Sequence, residues 1–252
     1  MSRALSTWFR SLSVAVVLWM IPLIGLANEL IVSAASSLTN VMNEAAAQFE
    51  KSHPEARVIL NFASSGTLLR QIERGAPVDV FVSADSETMD VAVRKDLIVE
   101  SAVRIFSKNK LVMLVRSGLD IGDIRSLDNV PVKRIAIGHP RSVPAGRYTQ
   151  KILEKAGMWE KISNKFIYAQ NVRQCLDYAT RGEVDVAFVY VTDSRLVQNK
   201  LRVVPIEDAS LDIQYPMALV KTSSNTALAE EFVSFLISEK MSELLKRNGF
   251  FR

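Results

Sequence analysis

The 252-residue chain has a single cysteine, Cys175, and only two histidines, His53 and His139. One thiol excludes an internal disulfide. The two histidines show no metal-ligand spacing and have no adjacent cysteine, so each reads as a loop residue and no metal-dependent chemistry is indicated. Charge of one sign is also scarce. The chain holds 31 Lys+Arg against 27 Asp+Glu, two of the bases (Arg3 and Arg10) fall near its start, and no block of like charge follows. Electrostatics therefore gives no case for a nucleic-acid partner. Gly-x-Ser-x-Gly and Gly-Lys phosphate loops are missing. The run SKNK (Ser107–Lys110) fits Ser-x-x-Lys, and KTS (Lys221–Ser223) resembles its companion, but that nucleophile opens a helix whereas Ser107 is expected just ahead of a strand. An exported hydrolase thus lacks a nucleophile–base pair.

The first 27 residues form a positive start, an apolar stretch from Leu12 to Ile24 and the small residues Gly25 to Ala27. This is the grammar of a secretory signal peptide cleaved after Ala27, and the apolar stretch is short for a spanning helix. No cysteine lies near the cut, which argues against a lipid anchor. The remainder is long enough for one large or two modest domains.

Strand and helix patterns alternate through that remainder. Strands are expected at Glu29–Ala34, Arg57–Ala63, Val78–Ala84, Lys110–Arg116, Arg134–Gly138, Lys165–Ala169, Val184–Tyr190 and Tyr215–Val220. Helices are expected at Leu38–Lys51, Thr67–Arg74, Glu87–Arg94, Pro144–Lys155, Val172–Thr180, Thr226–Ile237 and Lys240–Arg247. Such alternation indicates parallel α/β sheets with helices on both faces. Met42, Phe49, Phe62, Leu176 and Tyr178 read as core between the layers. Cys175, inside a helix, reads as a buried, unreactive residue.

Two strand-to-helix junctions end in paired serines: AASSLTN, with Ser36–Ser37, and FASSGTLL, with Ser64–Ser65. Capping of the orphan N–H groups at a helix start is the ordinary use of such serines. Two further helices begin at comparable junctions, one with Pro144 at a position suited to proline and one with Asn171 as a natural cap. In an open sheet these starts gather at the strand carboxyl ends, where converging helix N-termini suit an anion without any Lys or Arg. Tyr190, at a strand end, adds a hydroxyl. Arg147 and Arg173 lie in the first turns of two of these helices and read as side chains behind the donors or facing solvent. Asp79 and Asp85 flank a strand and suit turn and capping roles.

The blocks AASSLTNVM, FASSGTLLRQIERGAPVDVFVSAD, GHPRSVPAGRYTQKILEKAGMW and FVYVTD, followed by KRNGF near the end, resemble the periplasmic molybdate-binding proteins of ABC transporters. The resemblance implies a two-lobed α/β periplasmic-binding-protein fold, type II-like, with each lobe a mixed sheet flanked by helices and the ligand in the cleft between lobes. Lobe I is expected to span residues 28–107 and 214–252, and lobe II residues 108–213. The implied ligand set is Ser37 and Ser65 through their hydroxyls, Ala145 and Val172 through backbone N–H groups, and Tyr190 through its phenol. Gly66 stands where some members have serine, and Val191 where some have glycine. Molybdate or tungstate is the implied ligand, held as an oxyanion with no cation ligand and no cofactor, in a monomeric periplasmic protein serving a permease and its cytoplasmic ATPase. A binder of sulfate or phosphate is the alternative that shares this architecture. Each serine pair is expected to be both a cap and a half-site.

Overall fold

The computed structural model describes residues 28–197 and 201–252; the expected signal peptide lies outside the described residues. The first stretch contains β1 (Asn28–Ala35), a 3-10 turn at Ser36–Leu38, α1 (Thr39–Ser52), β2 (Ala56–Ala63), α2 (Ser65–Glu73), β3 (Val80–Val82), α3 (Ser86–Arg94) and β4 (Arg104–Asn109). The middle contains β5 (Leu111–Val115), β6 (Ile135–Gly138), α4 (Pro144–Lys155), α5 (Trp159–Ile162), β7 (Phe166–Ala169), α6 (Val172–Thr180), β8 (Val186–Tyr190), α7 (Val191–Ser194) and β9 (Arg202–Pro205). The chain closes with β10 (Ile213–Leu219), α8 (Thr226–Leu236) and α9 (Glu239–Arg247).

These strands make two five-stranded sheets, in the orders β2-β1-β3-β10-β4 and β7-β6-β8-β5-β9. Each is the sheet of one lobe, and each is mixed. In lobe I, β1 runs parallel to β2 and β3 while β10 is antiparallel to β3 and β4. In lobe II, β6 runs parallel to β7 and β8 while β5 is antiparallel to β8 and β9. The chain passes from the first sheet to the second at Lys110 and returns between Pro205 and Ile213. Parallel strands covered on both faces must be apolar throughout, and β3, β6 and β8 are buried along their whole length.

Burial follows the helical periodicity. Val41, Met42, Ala45, Ala46 and Phe49 of α1 are buried, and so are Val172, Cys175, Leu176 and Ala179 of α6. Phe62 and Tyr178 are half-buried against the same core. A smaller core under α2 and α3 joins Leu68, Ile72, Phe81, Met89 and Ile98. Removing the Cys175 thiol from water pushes its pKa well up, so it stays a protonated, unreactive group.

Two strands escape a pattern reading. β4 carries Arg104, Lys108 and Asn109, and β9 is a short edge strand ending in Pro205, a residue tolerated only at such edges. Ser107 consequently lies inside β4, which leads directly into the expected strand, here β5, and opens no helix. The expected strand at Val78–Ala84 shortens to Val80–Val82, and just ahead of it the Asp79 carboxylate accepts from the Ile31 N–H at 2.7 Å and from the Ser223 hydroxyl at 2.6 Å.

Candidate functional site

Five strand ends meet where the lobes face one another. β1 delivers Ser37, β2 delivers Ser65, the loop after β6 leads to Ala145, the end of β7 leads to Val172, and β8 ends on Tyr190. All five residues are buried and line one small cavity, with Ala35, Ser36, Ser64, Ala84, Val143 and Pro144 completing the wall. No Lys, Arg, Asp or Glu is among its lining residues. Larger hollows elsewhere, one beside the Lys155–Asp208 ion pair and one beside Lys110 and Ile213, gather no comparable set of helix starts.

The backbone donors follow from helix geometry. Ala145 is the second residue of α4, behind Pro144, and Val172 is the first residue of α6, so neither N–H has an acceptor in its own helix. Asn171 caps α6 as its sequence suggests, but its carboxamide accepts from the Gln174 N–H at 3.0 Å and leaves the Val172 N–H free of the cap. α4 can approach the sheet closely because residue 146 is glycine: a Cβ there would sit 1.9 Å from the Gly138 carbonyl oxygen.

The hydroxyls behave differently from the expectation that the serines cap. Neither helix start carries a side-chain cap: the 3-10 turn begins after Ala35, and α2 begins after Ser64, whose hydroxyl pairs with Thr67 Oγ1 at 2.9 Å instead of a backbone N–H. Ser65 Oγ accepts from the Ala84 N–H at 2.9 Å. Ser37 Oγ lies 3.1 Å from the Tyr215 hydroxyl. Tyr190 Oη is buried without a protein hydrogen-bond partner, and burial pushes its pKa well up, so it keeps its proton. A buried hydroxyl lacking a partner is unusual and marks a place prepared for one.

The two arginines reach across the cleft rather than into the cavity. Arg147, on α4, donates from Nε to Asp85 Oδ2 at 2.8 Å and from Nη2 to the same carboxylate, and to Thr88 Oγ1 at 2.6 Å. Asp85 also caps α3 by accepting from the Thr88 N–H at 3.2 Å, so its expected capping role is joined by an interlobe ion pair. Arg173, on α6, pairs through Nε with the fully buried Asp193 at 2.7 Å, and its Nη2 donates to the Ser37 carbonyl oxygen at 3.3 Å. Burial raises the Asp193 pKa to about 6, with Arg173 pulling the other way. Each guanidinium is therefore neutralised by a carboxylate beside the cavity.

Gly66 explains its own identity. Its N–H donates to the Ser142 carbonyl oxygen of the opposite lobe at 3.0 Å, and a Cβ would stand 2.8 Å from that oxygen. A serine at this position would hold the lobes further apart. Tyr215 and Asn109 lie outside the motif blocks, Ser142 and Asp193 lie inside two of them, and the contributions of all four are visible only in three dimensions. His53 and His139 lie in separate lobes, and among the described residues no group of three or more His, Cys, Asp or Glu side chains is placed to hold a metal ion.

Two mixed α/β lobes joined by two crossings, with helix N-termini from both meeting on one buried cavity, define the architecture of a two-lobed solute-binding protein. Residues 30–251 match the family model described as bacterial extracellular solute-binding protein, and the chain belongs to that family. It is similar to the molybdate-binding protein ModA of Escherichia coli (strain K12), with 37% identity over 230 residues covering 88% of each chain. It is similar also to the molybdate-binding protein ModA of Haemophilus influenzae, with 32% identity over 225 residues covering 87% of this chain and 88% of that one. Among solved structures, the periplasmic molybdate-binding protein of Azotobacter vinelandii shares the fold, with a TM-score of 0.79 at 24% identity over 88% of this chain and 99% of that one. The family is one of solute-binding transport proteins.

Proposed function

We propose that this protein captures molybdate, and tungstate with it, in the periplasm and delivers it to an ABC-type permease driven by a cytoplasmic ATPase. The observation that carries this reading is a buried interlobe cavity walled by hydrogen-bond donors and by no charged side chain. Ser37, Ser65 and Tyr190 offer hydroxyl protons, and Ala145 and Val172 offer backbone N–H groups. A fully deprotonated dianion accepts at every oxygen and suits such a set. Phosphate near neutral pH carries a proton that needs an acceptor. Sulfate, the smaller anion, would reach fewer of the donors at once in a cavity sized for molybdate, a size that the similarity to molybdate-binding relatives supports.

The donors come from both lobes, so the anion gains its full set only when the lobes are together, and binding shifts the opening equilibrium toward that state. The permease then has a closed form to recognise. Thermal melts with matched concentrations of molybdate, tungstate, sulfate and phosphate test the reading. A ligand of the folded state alone stabilises it by RT ln(1 + L/Kd), with L the free ligand concentration, so the melting temperature rises with the logarithm of its affinity. Large shifts with the first two anions and small ones with the others are expected. Equal stabilisation by sulfate and molybdate contradicts the proposal.

A further inference from the structure

Behind Ser37 runs a buried polar chain whose proton directions can be counted. Asn109, the last residue of β4 beside the crossing at Lys110, accepts the Lys110 N–H on Oδ1 at 2.9 Å, which fixes the orientation of its amide. Its Nδ2 then faces Thr192 Oγ1 at 2.9 Å and Tyr215 Oη at 3.1 Å, so each amide proton has an acceptor. Tyr215 is fully buried between the Tyr190 and Phe250 rings, and burial keeps its phenol protonated. Since its oxygen already accepts from Asn109, its proton needs an acceptor, and Ser37 Oγ at 3.1 Å is the one within reach. The reverse direction would give the phenol oxygen two donors and leave its own proton buried and unpaired, a costly arrangement.

From this geometry we infer that Tyr215, oriented by Asn109, is a positioning residue that turns Ser37 into a donor to the cavity and so biases which anions the site accepts. The inference rests on the anion reading given above. A serine hydroxyl left to itself can turn and accept a proton from a partly protonated anion such as hydrogen phosphate. With Tyr215 donating to it, one of the two lone pairs of Ser37 is taken and its single proton is turned to the cavity, which favours an anion that accepts there over one that donates. Ser65 reaches the same state by other means, because the Ala84 N–H behind it can only donate.

Tyr215→Phe tests this, because it keeps the ring and deletes the proton. Titration with molybdate is expected to show affinity falling roughly ten-fold, as a charge-assisted bond is weakened. Titration with inorganic phosphate is expected to show a narrower gap between the two anions than in wild type. In a Ser37→Ala background the same Tyr215→Phe change is expected to leave molybdate affinity unaltered, since Tyr215 acts through Ser37 alone. If Tyr215→Phe does not fold, Asn109→Leu carries the same test by removing the donor at the far end of the chain. An equal loss in both backgrounds marks a structural role and overturns the assignment, as does wild-type affinity and selectivity in the single variant. Wild-type protein that binds none of the anions overturns the anion reading and this assignment together, whereas wild-type protein that binds molybdate isolates any failure to Tyr215.

Discussion

Lobe I meets the cavity with side chains and lobe II largely with its backbone. Ser37 and Ser65 present hydroxyls whose protons are aimed by a partner behind each, the Tyr215 phenol in one case and the Ala84 N–H in the other. Ala145 and Val172 present N–H groups left over at helix starts, with only Tyr190 adding a hydroxyl. The two halves thus reach one chemistry by routes that respond differently to mutation. A hydroxyl is lost by changing one side chain. A backbone donor survives nearly any substitution except proline.

The largest expected effect follows from that exception. Val172→Pro deletes the N–H at the first position of α6, where proline is otherwise welcome, and the preceding Asn171 already has the extended backbone that proline requires (φ −158°, ψ 170°). Folding should be preserved. Molybdate affinity is expected to fall by about two orders of magnitude or more, because the ring also fills space where the donor stood. Val172→Ala is expected to stay close to wild type. Calorimetric titration of both variants, with circular dichroism as the folding check, sharpens the contrast between lobes or breaks it.

Ser37→Ala and Ser65→Ala come next, each expected to weaken molybdate by roughly ten- to a hundred-fold, as a bond to a charged acceptor contributes about 1.5–3 kcal/mol. They also strand the group behind them, the Tyr215 proton or the Ala84 N–H, so the anion-free protein is expected to melt lower in both. Tyr190→Phe separates the two effects. Its hydroxyl has no protein partner, so anion affinity is expected to fall about ten-fold while the anion-free melting temperature holds or rises. Melts with and without molybdate on the three variants check this, and a lowered anion-free melting temperature for Tyr190→Phe would show that its hydroxyl has a structural partner.

The smallest effect concerns Asp193, whose carboxyl pKa burial raises to about 6 from the ordinary 3.8. A raised folded-state pKa contributes stability that is complete below the unfolded value and is lost as pH rises through the folded one. Wild-type protein is therefore expected to lose stability relative to Asp193→Asn between pH ~4 and ~7. Urea midpoints across that range measure the difference, and a flat difference would mean that Arg173 holds the pair ionised throughout.

Much of this was legible in the residues, and the divide follows the same line as the two halves of the site. α4 and α6 begin and end where their apolar spacing, Pro144 and Asn171 place them. The serine pairs stand out because side-chain hydroxyls at strand ends are chemically marked. Ala145 and Val172 carry no such mark, since every residue but proline has an N–H, and only the family resemblance singles them out. The capping role expected of the serines failed because a hydroxyl can serve either a helix end or a more distant partner, and here Ala84 and Tyr215 win. Spacing along the chain could not reveal Tyr215, which meets Ser37 from 178 residues away. Nor could it reveal that Arg147 and Arg173 are drawn to Asp85 and Asp193, leaving the cavity lined by neutral groups.

The central claim is that neutral donors from both lobes select a fully deprotonated, large tetrahedral dianion. The most direct measurement is isothermal titration of the wild-type protein with molybdate, tungstate, sulfate and phosphate in turn, at one pH near neutrality. The account predicts one anion per chain, tight binding of molybdate and tungstate, and sulfate and phosphate weaker by several orders of magnitude. Comparable affinity for phosphate or sulfate, or no binding of molybdate at all, would contradict it.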